Sequence, residues 1–325
     1  MDVNHTLDLI DRKIVYELDL NSSISFKALG KKLHIAKETI GYRIKQLVKN
    51  GYIKHFLTTI NISHLGFFYY KLFYKFHKTT PAIDKEIVKF IQDHGPIAYF
   101  ASLQGRYDVN FLILSKNMND LSDFLILFRE KFGSYILEQE ILTVTSVQRF
   151  NLRFFYDAGD FLSTKYSGRL HEAPVLDRLD YFILHERAKN SRVQLLELAH
   201  KGNTTVPTIK SHLKKLSSLG ILGNAVIAID FEKFGMQFIQ IYFSLKTHRV
   251  IEKLINYVAP FKQILFADVM LGKYDLALEL VAKNPRELTE IINAIKERFS
   301  DDITTYDIFI LEEHEINWFP AIKKI

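Results

Sequence analysis

The chain has 325 residues, enough for two or three domains, and 48% of them are hydrophobic, 25% charged and 13% aromatic. This apolar content excludes disorder as the dominant state. The absence of cysteine excludes disulfides, thiolate metal sites, iron–sulfur clusters and cysteine nucleophiles. The net charge of +6 at pH 7 is a mild basic excess. We find neither a signal peptide nor a run of about 18 apolar residues, so we expect a cytoplasmic protein that has no membrane partner.

An internal repeat runs along the chain. Leu7–Ile14 (LDLIDRKI) recurs as Leu176–Ile183 (LDRLDYFI), and this offset of 169 gives sixteen identities in the sixty positions of 7–66. Farther on the offset becomes 167, where a Gly-x-Tyr-Asp sequence at 105–108 recurs at 272–275. The pattern predicts one unit of about 150 residues used twice.

The first half of each unit is predicted to be helical. Helical spacing of apolar residues predicts a helix over 8–19, a short second helix after Ser25, and a third helix that ends before Gly51. A strand is predicted over 52–60. Three short helices and a strand are typical of a winged helix-turn-helix module, and the second copy repeats them with Thr205 as the N-cap of its third helix.

The second half of each unit is predicted to follow the order β-α-β-β-α-β, which is the ferredoxin-like pattern. The fold class is therefore α+β, with two copies of a winged helix-turn-helix domain followed by a ferredoxin-like domain. The predicted parts are winged helix 1 at 1–60, ferredoxin-like domain 1 at 61–152, a linker at 153–175, winged helix 2 at 176–229, ferredoxin-like domain 2 at 230–316, and a tail at 317–325.

This arrangement resembles the Lrp/AsnC, or feast/famine, family of transcriptional regulators. The resemblance depends on Leu7–Ile14 and its recurrence, on Arg43–Ile53 with a weaker match at His212–Leu222, and on the two Gly-x-Tyr-Asp turns. It implies sequence-specific DNA binding without catalysis or a cofactor. We expect no metal site, because the twelve histidines show no tight ligand spacing. In that family the second domain, called the RAM domain, pairs and often binds an amino acid or another small effector. We therefore expect a homo-oligomer or a pseudo-dimer within one chain, although a fused pair of units is unusual for the family.

A related branch gives an alternative function on the same architecture. Siroheme decarboxylases also pair two unlike units, so the resemblance to them makes a haem-biosynthesis enzyme the second hypothesis. That branch carries a His-Asn-Tyr-type stretch where this chain has Ala98–Ser102 and Leu265–Val269. Both copies keep the Gly-x-Tyr-Asp turn of the regulators, which favours DNA binding.

The basic residues cluster around the predicted recognition helices. Residues 24–55 contain eight Lys or Arg against one acid, a net +7, and residues 193–224 contain four against one, a net +3. Such residues neutralise DNA phosphates, although a solvated helix face is the ordinary meaning of a charge run. Arg43, Tyr42 and Glu38 are predicted to select bases. The predicted DNA contacts are Lys37, Glu38, Thr39, Tyr42, Arg43 and Lys45 in the first copy, and Thr205, Lys210, Ser211, His212 and Lys214 in the second.

The two Gly-x-Tyr-Asp turns have two interpretations. In the first, each is a tight hairpin in which glycine supplies a positive φ and aspartate bonds the turn backbone. In the second, which the family resemblance supports, they line an effector pocket where Asp108 or Asp275 holds an amino group. The predicted effector residues are Gly105, Tyr107, Asp108, Gly272, Tyr274 and Asp275.

Overall fold

The computed structural model describes residues 7–156, 161–167 and 173–316, and these form two compact units. The helix-turn-helix unit takes its described residues from Met1–Ile60, Phe150–Ser163 and Leu176–Met236. The closed-sheet unit takes its described residues from Asn61–Arg149, Thr164–Val175 and Gln237–Ile325. Each unit thus combines the matching halves of the two sequence repeats. The predicted tail lies outside the described residues, as does part of the predicted linker.

The first repeat contains five helices and five strands. They are α1 Leu9–Leu20, α2 Phe26–Leu33, α3 Lys37–Lys49, β1 Ile53–Ile60, β2 Phe68–Phe76, α4 Pro81–His94, β3 Ile97–Gln104, β4 Val109–Ser115, α5 Met118–Phe132 and β5 Ile136–Phe150. Within the described part of the predicted linker a short strand follows, β6 Ser163–Ser167, which pairs with β5. The linker prediction gave no strand there, because five residues that pair at a sheet edge carry little periodic signal.

The second repeat contains the same elements in the same order. They are α6 Arg178–Lys189, α7 Leu195–Lys201, α8 Val206–Ser218, β7 Leu222–Ile229, β8 Gln237–Leu245, α9 Arg249–Val258, β9 Ile264–Leu271, β10 Leu276–Ala282, α10 Pro285–Phe299 and β11 Ile303–Ile316. Both repeats therefore have the predicted order of a winged helix-turn-helix followed by β-α-β-β-α-β.

The helices of the helix-turn-helix unit begin where their caps are. Asp8 caps α1 and Ser25 caps α2, each through a side-chain oxygen that accepts a backbone N–H of the first turn. Thr205 caps α8 in the same way, as predicted. On α3 the predicted stripe of Ile40 and its neighbours at helical spacing is buried. This stripe fixes which face of α3 packs inward.

The two halves of the helix-turn-helix unit are related by a local twofold axis. Strands β1 and β7 pair antiparallel with Leu57 opposite Val226, which is its repeat equivalent 169 positions later. Beside this ribbon the hydroxyls of the equivalent residues Ser22 and Ser191 lie 2.6 Å apart and are buried. One chain therefore contains a complete pair of helix-turn-helix modules.

In the closed-sheet unit, eight antiparallel strands form a ring. The strand order is β2-β4-β3-β11-β8-β10-β9-β5, and β5 pairs with β2 to close it. The interior of an eight-stranded closed sheet is just wide enough for side chains to fill. Alternate residues of each strand point outward, where Leu72 and Tyr74 of β2 pack in one core with Ile87 of α4 and Phe128 of α5. The remaining residues point inward and supply the features described below.

Candidate DNA-binding surface

The outer face of α3 carries most of the predicted contacts of the first copy. Lys37, Glu38, Thr39, Tyr42 and Lys45 are exposed, because the buried stripe of the helix turns these positions away from the core. The ammonium of Lys37 lies 3.7 Å from the Glu38 carboxylate. Tyr42 is 64% exposed. The face therefore offers cations for phosphates and an aromatic ring for bases.

Arg43 has a different position from the other predicted contacts. Its guanidinium donates to Asp8 at 2.8 Å and to Asp11 at 2.9 Å, and both carboxylates belong to the start of the first helix. Burial acts to raise the pKa of Asp8, but hydrogen bonds from the Asp11 amide and from Arg43 lower it overall. Arg43 thus joins α3 to α1 through its Nη1, which donates to both carboxylates.

The outer face of α8 carries the predicted contacts of the second copy. Thr205, Lys210, Ser211 and Lys214 are exposed, whereas His212 is half buried. The hydroxyl of Thr205 is already used, because it caps the helix by accepting from the Thr208 amide. This face carries two exposed lysines, as does that of α3, but it has no aromatic side chain.

His212 is the repeat equivalent of Arg43 and makes the equivalent contact. Its Nδ1 lies 2.7 Å from Oδ1 of Asp180, while Lys215 donates to Oδ2 of Asp180 at 2.6 Å. Burial acts to raise the pKa of Asp180, but hydrogen bonds from Lys215, the Asp177 amide and His212 lower it overall. Both third helices are therefore held to the preceding bundle by a buried carboxylate and a cationic or hydrogen-bonding side chain.

The same residues could in principle hold a metal ion. Ligand atoms of Asp177, Asp180 and His212 all lie within 4.8 Å of one another. However, the second oxygen of Asp180 is bound by Lys215, and the equivalent group in the first copy contains the guanidinium of Arg43. A guanidinium is not a metal ligand. The arrangement in both copies is that of an ion pair between helices.

Several of the clustered lysines remain available to a polyanion. Lys32 pairs with Glu17 and Lys54 with Asp230, which neutralises part of the excess counted from the sequence. Exposed lysines that make no ion pair with another described residue are Lys27, Lys31, Lys45 and Lys49. This concentration of unpaired cations lies in the first copy, which supports its stronger predicted role.

The two Gly-x-Tyr-Asp turns are tightly built into the closed sheet. Tyr107 and Tyr274 are buried, and each packs in the aromatic layer around Phe73. Asp108 accepts the Phe76 amide at 2.7 Å and Asp275 accepts the Leu245 amide, also at 2.7 Å. Each aspartate thus bonds the backbone at the end of a neighbouring strand, β2 or β8, and not the backbone of its own turn.

The glycines of these turns are required by close packing. Gly105 has φ +145°, and a Cβ there would lie 2.8 Å from the Phe309 ring and 2.9 Å from the Ile308 carbonyl. Gly272 is its equivalent at φ +133°, and a Cβ there would lie 2.6 Å from Leu142. Each glycine therefore lets its turn approach a strand of the other copy.

Sequence reasoning missed a polar cluster inside the closed sheet. Lys71 is only 3% exposed and lies 3.3 Å from Asp268 and 3.2 Å from Glu279. Gln240 donates to Glu279 at 2.8 Å and accepts from Asn110 at 2.9 Å. Lys71 in the aromatic run of β2 was a signal for such a cluster, but its partners Asp268 and Glu279 lie 197 and 208 positions away in the sequence.

Comparison with known proteins places these features in a class. A model of winged helix-turn-helix DNA-binding domains matches residues 7–54. The transcriptional regulator Ptr1 of Methanocaldococcus jannaschii is 30% identical over 119 residues, covering 37% of this chain and 79% of the relative. The regulator LrpB of Bacillus subtilis is 26% identical over 139 residues, covering 42% of this chain and 91% of the relative. The fold and the matched domain thus define a winged-helix DNA-binding protein.

The match to single-unit regulators identifies the family. The chain belongs to the Lrp/AsnC family of helix-turn-helix transcriptional regulators. Each of these relatives matches less than half of the chain, as expected if a relative corresponds to one repeat.

Solved structures of a siroheme decarboxylase are similar over both repeats. The siroheme decarboxylase NirDL matches with a TM-score of 0.64 at 14% identity, covering 94% of this chain and 91% of that chain. At this identity the likeness shows a shared fold. Among the described residues, the structure contains no helix that is both long and apolar enough to cross a bilayer.

Proposed function

We propose that the chain is a sequence-specific DNA-binding transcriptional regulator that acts by binding and catalyses no reaction. The main support is the exposed outer face of α3, where Tyr42 and Lys45 stand free beside the unpaired lysines of α2. Membership of a family of helix-turn-helix regulators supports the same function. Lysines supply the salt-dependent part of the affinity, and Tyr42 with Glu38 and Thr39 supplies base contacts.

A binding titration on the chain's own promoter tests this proposal. We expect a saturable complex whose affinity falls steeply as salt rises, and a weaker complex with unrelated DNA of equal length. Tyr42→Ala should lower affinity for the promoter more than for unrelated DNA, because the variant has no side chain that reaches the bases at this position. The matched control is Tyr52→Ala in the helix-turn-helix unit, at a position outside α3. Equal affinity for promoter and unrelated DNA would contradict sequence-specific regulation.

Modulation by a small effector such as an amino acid is a second part of the proposal. This part is supported by the family membership. The two Gly-x-Tyr-Asp turns add no support of their own, because their aspartates already accept backbone amides. Thermal unfolding measured with each of the twenty amino acids tests it. An effector should raise the melting temperature and change promoter affinity together, and the absence of any shift would count against this part alone.

A siroheme decarboxylase is the second candidate, favoured by the full-length likeness to NirDL and by the buried ionisable cluster. Burial acts against the charge of Lys71, but the neighbouring Tyr242, Glu279 and Asp268 raise its pKa well above the usual value. Burial also raises the pKa of Asp268. Perturbed ionisable groups are frequent at catalytic sites, although ion-pair networks perturb them as well.

Siroheme itself distinguishes the two candidates. Incubation with the decarboxylase's substrate should leave the visible absorption spectrum of free siroheme unchanged if the chain is a regulator. A shifted spectrum together with release of carbon dioxide would establish the enzyme. The Lys71→Met variant tests whether the buried cluster takes part, because loss of the spectral shift in a variant that still folds would make the shift dependent on Lys71.

A further inference from the structure

The two junctions of the closed sheet are equivalent in the repeat. Where β5 meets β9, Thr143 lies opposite Leu271, and where β3 meets β11, Gln104 lies opposite Ile310. Residues 143 and 310 are 167 positions apart, and so are residues 104 and 271. Each ferredoxin-like domain therefore offers the same two edges. The backbone alone would allow a domain to pair with another copy of its own kind.

The charges inside the closed sheet do not share this symmetry. The cation, Lys71, comes from the first repeat, whereas both carboxylates, Asp268 and Glu279, come from the second. Lys71 is 3% exposed, so water contributes little to its solvation. The three groups depend on one another across the junction of the two domains.

The equivalent positions carry uncharged residues. In the repeat, Gln240 stands where Lys71 does, Ala101 where Asp268 does, and Leu112 where Glu279 does. The strand registers confirm two of these relations, because Lys71 lies opposite Leu112 and Gln240 lies opposite Glu279. The charged cluster therefore exists once in the closed sheet, although the sheet has two equivalent places for it.

A pair of like domains would leave these charges uncompensated. Two first domains would bury two lysines opposite alanine and leucine, and two second domains would bury four carboxylates opposite glutamine. An uncompensated buried charge is strongly destabilising, whereas in the observed pair both carboxyl groups lie beside the ammonium of Lys71. The helix-turn-helix unit is different, because its buried Ser22–Ser191 contact joins identical side chains and suits any pairing.

We infer that the Lys71–Asp268–Glu279 cluster makes a first ferredoxin-like domain pair with a second one and not with another first domain. The partner of a first domain is then a second domain, of the same chain or of another copy, and not another first domain. The cluster thus selects the interaction surface and prevents chains from joining through like domains. This inference depends on the closed sheet and not on whether the chain binds DNA.

The lack of native cysteine makes a disulfide test on the full chain possible. A like-pair reporter carries Gln104→Cys and Thr143→Cys, which lie on opposite edges of the first domain and meet only if two first domains pair. An unlike-pair reporter carries Gln104→Cys and Ile310→Cys, which are opposite in the observed register. Both are refolded from urea at high concentration, oxidised mildly, and separated on a non-reducing gel.

The variant that tests the cluster removes its charges while keeping side-chain size. With the native cluster, we expect the unlike-pair reporter to oxidise and the like-pair reporter to give almost no disulfide-linked dimer. With Lys71→Met, Asp268→Asn and Glu279→Gln together, the like-pair dimer should increase roughly tenfold or more, because pairing of like domains then buries no unpaired charge. Oxidation of the unlike-pair reporter in the same background shows that the closed sheet still forms. If it forms and the like-pair dimer does not increase, the inference is wrong.

A second variant decides the question if the neutral cluster fails to fold. Leu112→Glu places a carboxylate where a second first domain would need one to receive Lys71. It should increase the like-pair dimer, whereas the matched uncharged control Leu112→Gln should not. Equal amounts of like-pair dimer in these two variants would overturn the inference, as would abundant like-pair dimer with the native cluster.

Discussion

Arg43 and His212 show how a single position can look functional in the sequence and have another role in the fold. Both lie on a third helix of a helix-turn-helix module, and Arg43 begins one of the motifs shared with the family. Both nevertheless bind a buried carboxylate of the first helix of their module. A basic residue at this position therefore sets the orientation of the recognition helix, while its neighbours Tyr42 and Lys45 are free to meet DNA.

Replacing Arg43 should therefore affect stability before specificity. Arg43→Ala leaves Asp11, whose side chain is 5% exposed, without its cation and should cost about 2 kcal/mol of unfolding free energy. Its affinity for promoter and for unrelated DNA should fall by similar factors, because the helix is loosened as a whole. Urea unfolding and paired titrations measure the two effects. A selective loss of promoter binding with unchanged stability would show that Arg43 reads bases after all.

The buried carboxyl group of Glu279 should make the stability of the protein fall as pH rises, which is opposite in sign to ordinary acid unfolding. Burial, with Asp268 also nearby, outweighs the effect of Lys71 and Gln240 and raises the pKa of Glu279 to about 7. The buried Tyr99 and Tyr242 face the same cluster, and burial raises their pKa values too. Because the folded-state pKa of Glu279 is above the unfolded value of 4.5, the folded state binds more protons between these limits, and stability falls as pH rises through this window.

The Glu279→Gln variant isolates this contribution. Between pH 5 and pH 8 the native chain should lose up to about 3 kcal/mol more unfolding free energy than the variant does. Urea unfolding at four pH values measures the difference, in which groups common to both proteins cancel. Identical pH profiles for the two proteins would mean that Glu279 is ionised throughout or solvated in the folded state.

At the scale of elements, the two recognition helices pack in the same way but expose different side chains. Helix α3 presents Lys37 and Tyr42, whereas the equivalent positions of α8 carry Val206 and Ser211. The helices keep the same buried stripe and the same link to the preceding bundle. The fold of the module is thus retained in both copies, while the surface that would meet DNA has diverged.

This divergence predicts unequal contributions of the helices to DNA affinity. The double variant Lys37→Ala and Lys45→Ala should weaken binding more than Lys210→Ala and Lys214→Ala, although each pair removes two cations. For every lysine that binds a phosphate, its removal should reduce the salt dependence of log K by about one unit of slope. Titrations over a range of salt concentrations measure both quantities. Equal losses for the two pairs would show that α8 contacts DNA as closely as α3.

A single methyl group added to the hairpin between β3 and β4 should lower the stability of the protein. Gly105→Ala would place its Cβ within 2.9 Å of a backbone carbonyl on β11. We expect a loss of about 2–4 kcal/mol, from backbone strain and overpacking together. Gly235→Ala is the control, because it has a positive φ of 68° with no atom within 4 Å, and strain alone should cost about 1 kcal/mol. Similar melting temperatures for the two variants would contradict the proposed close packing.

At the scale of the molecule, the repeat in the sequence already determined most of the architecture. Helical stripes such as Ile40 with Ile44, and the recurrence of Gly105 to Asp108, predicted the order of elements in both halves. Periodicity, however, reports which face of an element is buried and not which strand lies beside it. The pairing of β5 with β9 and the meeting of Lys71 with Asp268 are long-range contacts, which one sequence does not reveal.

A chain that contains both helix-turn-helix modules should bind its operator as a single molecule. The local twofold axis between Leu57 and Val226 relates α3 to α8, as the two halves of a symmetric dimer would be related. The operator should therefore consist of two inverted half-sites. Since Tyr42 and Ser211 occupy equivalent positions, the half-sites should differ in sequence.

Selection of bound sequences from a random DNA pool, followed by sedimentation of the complex, tests this expectation. We expect one chain per duplex and an imperfect palindrome. Duplicating either half-site as a perfect palindrome should lower the affinity roughly tenfold or more, because each mismatched base pair costs about 1–3 kcal/mol. If a perfect palindrome is selected and two chains occupy it, the modules that read one operator come from different chains. The pairing within one chain would then serve assembly and not recognition.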